Sequence, residues 1–322
     1  EEVVPGSQLI LLALPAFAHQ TILADIAGHL DEAIWVGALA ARGAFDLCAK
    51  EILDGGARLP ILFGLQTLPW ACRIQKYGQE VEILGTKAVV DLAAWPPQHA
   101  SDLASRLSDL LDVPILATAS FLSLTLAGTG QIIHPGIMFG LFHQWNGPVY
   151  QDAPLFYHAV DEFTVAVLEQ LSVEVRSVGA ALQSQFHELD LSAVRPLLEW
   201  FRRAYHDDIE DPSTLHTCIL SNRSYAGLKA PMRPANGGLA PDFQARYLGE
   251  DIPYGLIVTR GLAELVGIAT PVMDKVITWA QGRLGRVYLA AGKLQGSDIG
   301  ATRAPQRYGY HDLNSLMQTF YL

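Results

Sequence analysis

From Val113 to Gln151 the chain runs for 39 residues without one Asp, Glu, Lys or Arg. A stretch this long and uncharged must be buried, because its backbone groups need partners and its side chains offer water almost nothing. It is also long enough to span a bilayer. Gly128, Gly130, Gln131, His134, Pro135 and Gly136 interrupt it, and a lipid-facing helix tolerates such a run poorly. The stretch therefore reads as a buried helix leading into a site, and a titratable group such as His134 there is either well partnered or at work.

The rest of the composition agrees with a globular chain. Half of the 322 residues are hydrophobic and only 17% are charged. With a mean hydropathy of +0.21, the chain can bury one large core or two smaller ones, and two domains are expected. The net charge of −11, with no cluster of Lys and Arg, argues against a nucleic-acid partner or an anionic membrane. Three cysteines, Cys48, Cys72 and Cys218, lack CxxC spacing, so neither a disulfide framework nor a zinc site is expected, and a reducing, cytoplasmic location fits.

Two regimes of pattern divide the chain. Gln8 to Leu14 is a continuous apolar run of the kind buried on both faces of a parallel sheet, and it ends in Pro15-Ala-Phe-Ala-His19. Thr21 to Leu30 has helical spacing, Ala33 to Gly37 is strand-like, Phe45 to Leu53 helical and Leu59 to Phe63 strand-like again. Val81 to Gly85, Ala88 to Leu92 and Val113 to Ala117 read as further strands, with a helix opened by Ser101 before the last. Strands alternating with helices predict βαβ units in a Rossmann-like parallel sheet over residues 1–119.

From 120 to 322 helical spacing takes over: Phe163 to Leu182, Val194 to Tyr205, Pro212 to Leu220, Pro253 to Val266 and Pro271 to Leu284. Asp211 and Thr270 precede prolines as caps, Gly267 follows a helix end, and an all-helical domain is expected. A Pro/Gly-rich loop, Lys229 to Phe243, is of a length kept for binding or gating and delivers the chain to Arg246.

One motif is missing. A sheet that binds a dinucleotide opens with a strand, a G-x-G-x-x-G turn and a helix N-terminus for the pyrophosphate. Gly128-Thr-Gly130 lacks that context and reads as a helix interruption. The Gly-rich first βαβ unit is accordingly expected to be absent from this chain.

Three charged side chains stand in apolar, helix-bounding sequence: His134, Arg246 and Asp251. Each has a plain reading. His134 could cap a backbone group, Asp251 could be the N-cap of the run that begins at Pro253, and Arg246 could pair with Asp242 or Glu250.

The segments Leu12 to His19, Gln66 to Ile74, Leu84 to Lys87, Ile133 to Gly140, Ala153 to Tyr157, Arg246 to Gly255 and Thr302 to Gly309 resemble, in order, the octopine/nopaline (opine) dehydrogenase family, its marine-invertebrate branch above all. That resemblance implies an oxidoreductase that joins an amino acid to a 2-oxo acid, usually pyruvate, and reduces the imine with NADH or NADPH. It implies His134 as proton donor and acceptor, Asp251 as the carboxylate that orients it, and Arg246 as the fork for a substrate carboxylate.

Pro15, Ala16 and Phe17, at a strand's carboxyl end, are expected to face the nicotinamide. Gln66, Thr67 and Cys72 are expected to line the substrate cleft, with Trp70 in the core, and neutral Gln66 there favours a small neutral amino donor over arginine. Cys72 has no activating base in sequence, and the cluster from His206 to Asp211 with His216 reads as a solvated acidic turn, so no metal is expected. Two other readings stay open: a non-catalytic binding module of the same fold, and a metal-dependent hydrolase. Monomer or homodimer, and NADH or NADPH, are not decided by sequence.

Overall fold

The computed structural model describes residues 2–53 and 59–321. The apolar runs become strands β1 (Leu9–Leu12), β2 (Trp35–Ala38) and β3 (Ile61–Leu65), paired in parallel and linked by helices α1 (Ala16–Ile26) and α2 (Phe45–Leu53). Next come β4 (Trp70–Lys76), β5 (Glu80–Thr86), β6 (Val90–Trp95), α3 (Ala100–Leu111) and β7 (Ile115–Ala117). The sheet order is β1-β2-β3-β6-β7, and separate apolar clusters cover its two faces.

In four places the sequence reading of this half needs correcting. The segment Val81 to Gly85 is a strand as expected, but not one of the parallel sheet, since β4 and β5 form a separate antiparallel pair. Its alternation, Glu80-Val-Glu-Ile, is that of a surface strand, and all four residues are exposed, whereas the sheet strands are apolar but for Asp91 in β6. Within the sheet, β6 runs antiparallel to β3, because the hairpin returns the chain where a crossover helix would otherwise stand. Finally, α1 starts at Ala16 rather than Thr21, and α3 is opened by His99 with no side-chain cap from Ser101.

The uncharged stretch forms α4 (Phe121–Ala127) and α5 (Gly130–Phe142), separated at Gly128-Thr129. Then follow α6 (Glu162–Gln185), α7 (Leu197–Ala204), α8 (Leu215–Ser221), a ribbon of β8 (Met232–Ala235) and β9 (Gly238–Pro241), α9 (Arg246–Gly249), a π-helical turn over Ile252–Leu256, α10 (Ile257–Val266), α11 (Pro271–Leu284) and α12 (Leu313–Phe320). This half is helical except for the ribbon, which occupies the segment expected to be a loop: Asn236 and Gly237, with φ of 21° and 84°, turn it back on itself. Gly136 and Gly140, one turn apart, let α5 lie on α6, where added Cβ atoms would stand 2.5 Å from Leu168 and 2.1 Å from Thr164. No described helix is long and apolar enough to cross a membrane.

Capping also departs from expectation. Gly267 ends α10 in the left-handed region as its sequence indicates. Asp211, however, accepts from Ser213 in a local turn, and Thr214 caps α8. Thr270 makes no capping bond to α11. Glu174, buried in α6, does so instead, accepting from the amides of Val272 and Met273 at 2.8 Å each. Glu174→Ala should lower the unfolding free energy by about 2–3 kcal/mol, as expected for charge-assisted bonds to a helix start, and Glu174→Gln by less. Urea unfolding checks this, and an unchanged midpoint for Glu174→Ala would show that the cap is not needed.

Candidate active site

His134 sits in the first turns of α5, beside Pro135, which cannot supply the amide that the Gln131 carbonyl would take in a regular helix. Its ring is stacked on Tyr247, centroids 4.2 Å apart, so it has one orientation. Nδ1 lies 2.7 Å from Asp251 Oδ2 and Nε2 3.3 Å from the Tyr157 hydroxyl. A carboxylate can only accept, so Nδ1 carries the proton and Nε2 holds the lone pair toward Tyr157. Burial pushes the imidazole below its ordinary value, against the pull of Asp251.

Asp251 stands at the head of the π turn with its side chain capping nothing. It is 1% exposed, and Arg42 Nη1 meets its Oδ1 at 2.8 Å. Burial alone would raise the carboxyl; Arg42 first, then His134, outweigh it and hold Asp251 below the usual carboxylate range. Arg42 also reaches Glu250 Oε1 at 3.1 Å, and that oxygen accepts the Ala16 amide at 3.2 Å. Gly130 makes room for the guanidinium, because a Cβ there would collide with Arg42 Nη1. The line Ala16, Glu250, Arg42, Asp251, His134, Tyr157 thus crosses from sheet to helices.

The cleft beside His134 has a volume of about 150 Å³ and is walled by aromatic rings, among them Trp70, Tyr157, Trp200 and Tyr225. Thr67, Cys72 and Arg246 line it, together with Arg73 and Lys87 from the hairpin. Arg246 pairs with neither Asp242 nor Glu250; no ion pair engages it among the described residues. Trp70, expected in the core, is half-buried and forms part of the cleft wall while packing on the sheet.

Gln66 is not in the cleft. The strand-end turn rotates it inward, where its amide donates to the Ala127 carbonyl behind Arg42, so it gives no ground for choosing an amino donor. Pro15, Ala16 and Phe17 also lie off the cleft, since β1 ends at Leu12 and α1 begins almost at once, leaving Pro15 as an exposed cap residue and Phe17 61% exposed. His19, three residues into α1, is buried against Arg303 and pushed down to about 3, by burial first and Arg303 second. In the acidic turn, Asp208 accepts from Ser224, while His216 bonds the Val160 carbonyl.

A profile for the NAD/NADP octopine/nopaline dehydrogenase alpha-helical domain matches residues 117–284. Octopine dehydrogenase of Mizuhopecten yessoensis is 37% identical over 98% of this chain and 79% of its own length. The chain belongs to the octopine/nopaline dehydrogenase family. Tauropine dehydrogenase of Arabella iricolor is 36% identical, over 98% of this chain and 81% of its own. A solved octopine dehydrogenase, in complexes with NADH and either L-arginine or pyruvate, superposes with TM-scores of 0.87 and 0.85 at 35% and 33% identity, covering all of this chain and 80% of the other.

Membership of the opine dehydrogenases brings a nicotinamide cofactor, and the residues at the sheet's carboxyl edge fit its ring. Ala40 after β2 and Thr67 and Leu68 after β3 form an uncharged, low wall of the same cleft that holds His134. The Ala16 amide, at the start of α1, is committed to Glu250.

Sequence reasoning missed Arg42, Glu250 and Tyr157 as site residues. A signal existed: Glu250-Asp251, two adjacent acids in apolar sequence, required a cation. Arg42→Met should destabilise the fold at pH 7.5 by about 3 kcal/mol or more, as removal of one member of a buried ion pair does. The cost of the substitution should also shrink as pH falls, because Arg42 is the main group holding Asp251 below the usual carboxylate range, and a protonated Asp251 has less need of the cation. Urea melts of both proteins at pH 4 and 7.5 decide this, and a difference between them as large at pH 4 as at 7.5 would refute it.

Proposed function

We propose that the chain catalyses the NAD(P)H-dependent reductive condensation of an amino acid with a 2-oxo acid such as pyruvate, with His134 as acid/base, Asp251 as its orienting partner and Arg246 as a substrate carboxylate receptor. One observation carries this reading: a neutral, oriented histidine on an ionised aspartate, beside a guanidinium free of carboxylate partners in the cleft. A binding module that had lost its chemistry would have no need to keep Asp251 charged at 1% exposure.

The steps follow from the geometry. Arg246 holds the 2-oxo acid by its carboxylate, aligning the carbonyl carbon with His134. The amino acid arrives as an ammonium ion; Nε2 takes one of its protons, and Asp251 stabilises the imidazolium through Nδ1–H. The free amine adds to the carbonyl, and His134 returns the proton to the departing hydroxyl, so that water leaves and a protonated imine remains. The Tyr157 hydroxyl, at 3.3 Å from Nε2, can hold or pass that proton. Reduced nicotinamide, when bound, supplies the hydride that converts the imine carbon to the secondary amine. Thr67 and Cys72 contact substrate in this scheme, and the cofactor approaches along the carboxyl end of β1, where Pro15, Ala16 and Phe17 begin α1.

The same reading divides the chain into a dinucleotide-binding part, 1–119, and a catalytic part, 120–322. A cytoplasmic place fits the free cysteines Cys48, Cys72 and Cys218. Sedimentation equilibrium separates monomer from homodimer.

The test is NADH and NADPH oxidation by the full-length gene product with pyruvate and a panel of amino acids; no oxidation with any pair would end the proposal. His134→Ala should lower turnover by about two to four orders of magnitude with the fold retained. Because the imidazole is lowered, the acid limb of kcat/KM for condensation should fall below 6.5, the ordinary histidine value. Asp251→Asn removes the group that pulls the pKa up, so the limb should move further to acid while turnover drops. A limb that stays in place would show that His134 is not the titrating base.

A further inference from the structure

Four cationic side chains, Arg42, Arg73, Lys87 and Arg246, line the cleft, and no Asp or Glu is among its walls in the described residues. Arg42 is spent on Asp251 and Glu250. Lys87 is the unexpected one. It follows β5, is 5% exposed, donates to the Leu68 carbonyl at 2.7 Å and stands 5.4 Å over the Tyr205 ring. No carboxylate pairs with it among the described residues. An ammonium has three donors, and a desolvated cation with a single carbonyl for company is costly unless an anion joins it. Arg73, on the β4–β5 hairpin, lends Nη1 to the Cys72 carbonyl at 2.8 Å. The fields of Arg73 and Arg246 both reach the Tyr157 phenol.

Opine formation, on the reading above, brings two anions together: the carboxylate of the 2-oxo acid and the acidic group of the amino donor. Arg246 belongs to the segment that carries Asp251, so it serves the carboxylate next to the reacting carbonyl. The second anion needs its own receptor. We infer that Lys87, assisted by Arg73, receives the carboxylate or sulfonate of the amino donor, and that the cleft therefore selects donors with a compact anionic group and no cationic side chain, such as alanine, glycine, β-alanine or taurine, over arginine. The inference rests on the opine reading for the word donor, and on the hairpin's charges for the rest. An arginine side chain would place a guanidinium among these cations with no acid to meet it.

Steady-state kinetics at saturating pyruvate with alanine, taurine, arginine and ethylamine, which lacks the anion, test it. The native enzyme should use alanine or taurine at least about 10-fold better than arginine in kcat/KM, and alanine far better than ethylamine. Lys87→Met should shrink the alanine-to-ethylamine ratio about 10- to 100-fold, the worth of one charge-assisted bond, and leave the KM for pyruvate within about threefold; Lys87→Arg should restore part of the ratio. Arg73→Gln should shift the same ratio in the same direction by a smaller factor, which keeps the test alive if Lys87→Met fails to fold. Arginine as best donor, or an unchanged ratio with a raised pyruvate KM, overturns the inference. Quenching of tryptophan fluorescence by taurine, with pyruvate present and no cofactor, needs no turnover. If taurine binds in a Lys87-dependent way while no donor supports oxidation, the anion receptor stands and the opine reading falls. Taurine binding unaffected by Lys87→Met sinks the receptor itself.

Discussion

The ion pair between Arg42 and Asp251 is the interaction on which the rest of the site depends. An aspartate at 1% exposure keeps its charge only beside a cation, and a histidine keeps its tautomer only beside a charged aspartate. Arg42 comes from the turn after β2, where it and Ala44 adopt left-handed φ values of 57° and 52° around Gly43. Such backbone is held in place by its surroundings. Here the Gly43 amide donates to the Tyr254 carbonyl at 2.7 Å, and Arg303 donates to Ala41 and Ala16 carbonyls. The sheet therefore furnishes the counter-charge for a base mounted on the helices.

Burial does two opposed things at this centre. It lowers the imidazole, which keeps His134 ready to accept a proton near neutral pH, and it penalises the carboxylate on which the imidazolium will lean. Arg42 resolves the conflict by offsetting the second without cancelling the first. His19 shows the other outcome: buried against Arg303 with no acid nearby, its Nδ1 must accept from the guanidinium, so Nε2–H faces the Leu14 carbonyl and the ring stays neutral.

The alternation of strands and helices, the break at Gly128 to Gly130, and the three charges His134, Arg246 and Asp251 were legible because each is a local departure from its neighbours. What pairs across the fold was not. Arg42 lies in an ordinary-looking turn, and its partner Glu250 is 208 residues away. Gln66 looked like a cleft residue because it follows a strand, but the direction of its side chain depends on the Ala127 carbonyl, which only the packed fold brings close. Val81 to Gly85, in the β4–β5 hairpin, reads as one more strand of the parallel sheet, although Glu80 and Glu82 in alternation mark it as a surface strand. Asp251 read as a helix cap because the π turn that frees its side chain has no sequence signature of its own.

That hairpin has a bearing on how such a protein changes over generations. Its ladder closes on itself, and no sheet strand depends on its register. Substitutions at Cys72 or Arg73 are therefore insulated from the strand order beneath, and also from the Arg42–Asp251–His134 line, which is built from other segments. A lineage can rewrite the wall that meets one substrate while inheriting the proton chemistry unaltered, and paralogues with different tastes need share no less of the core than paralogues with the same one.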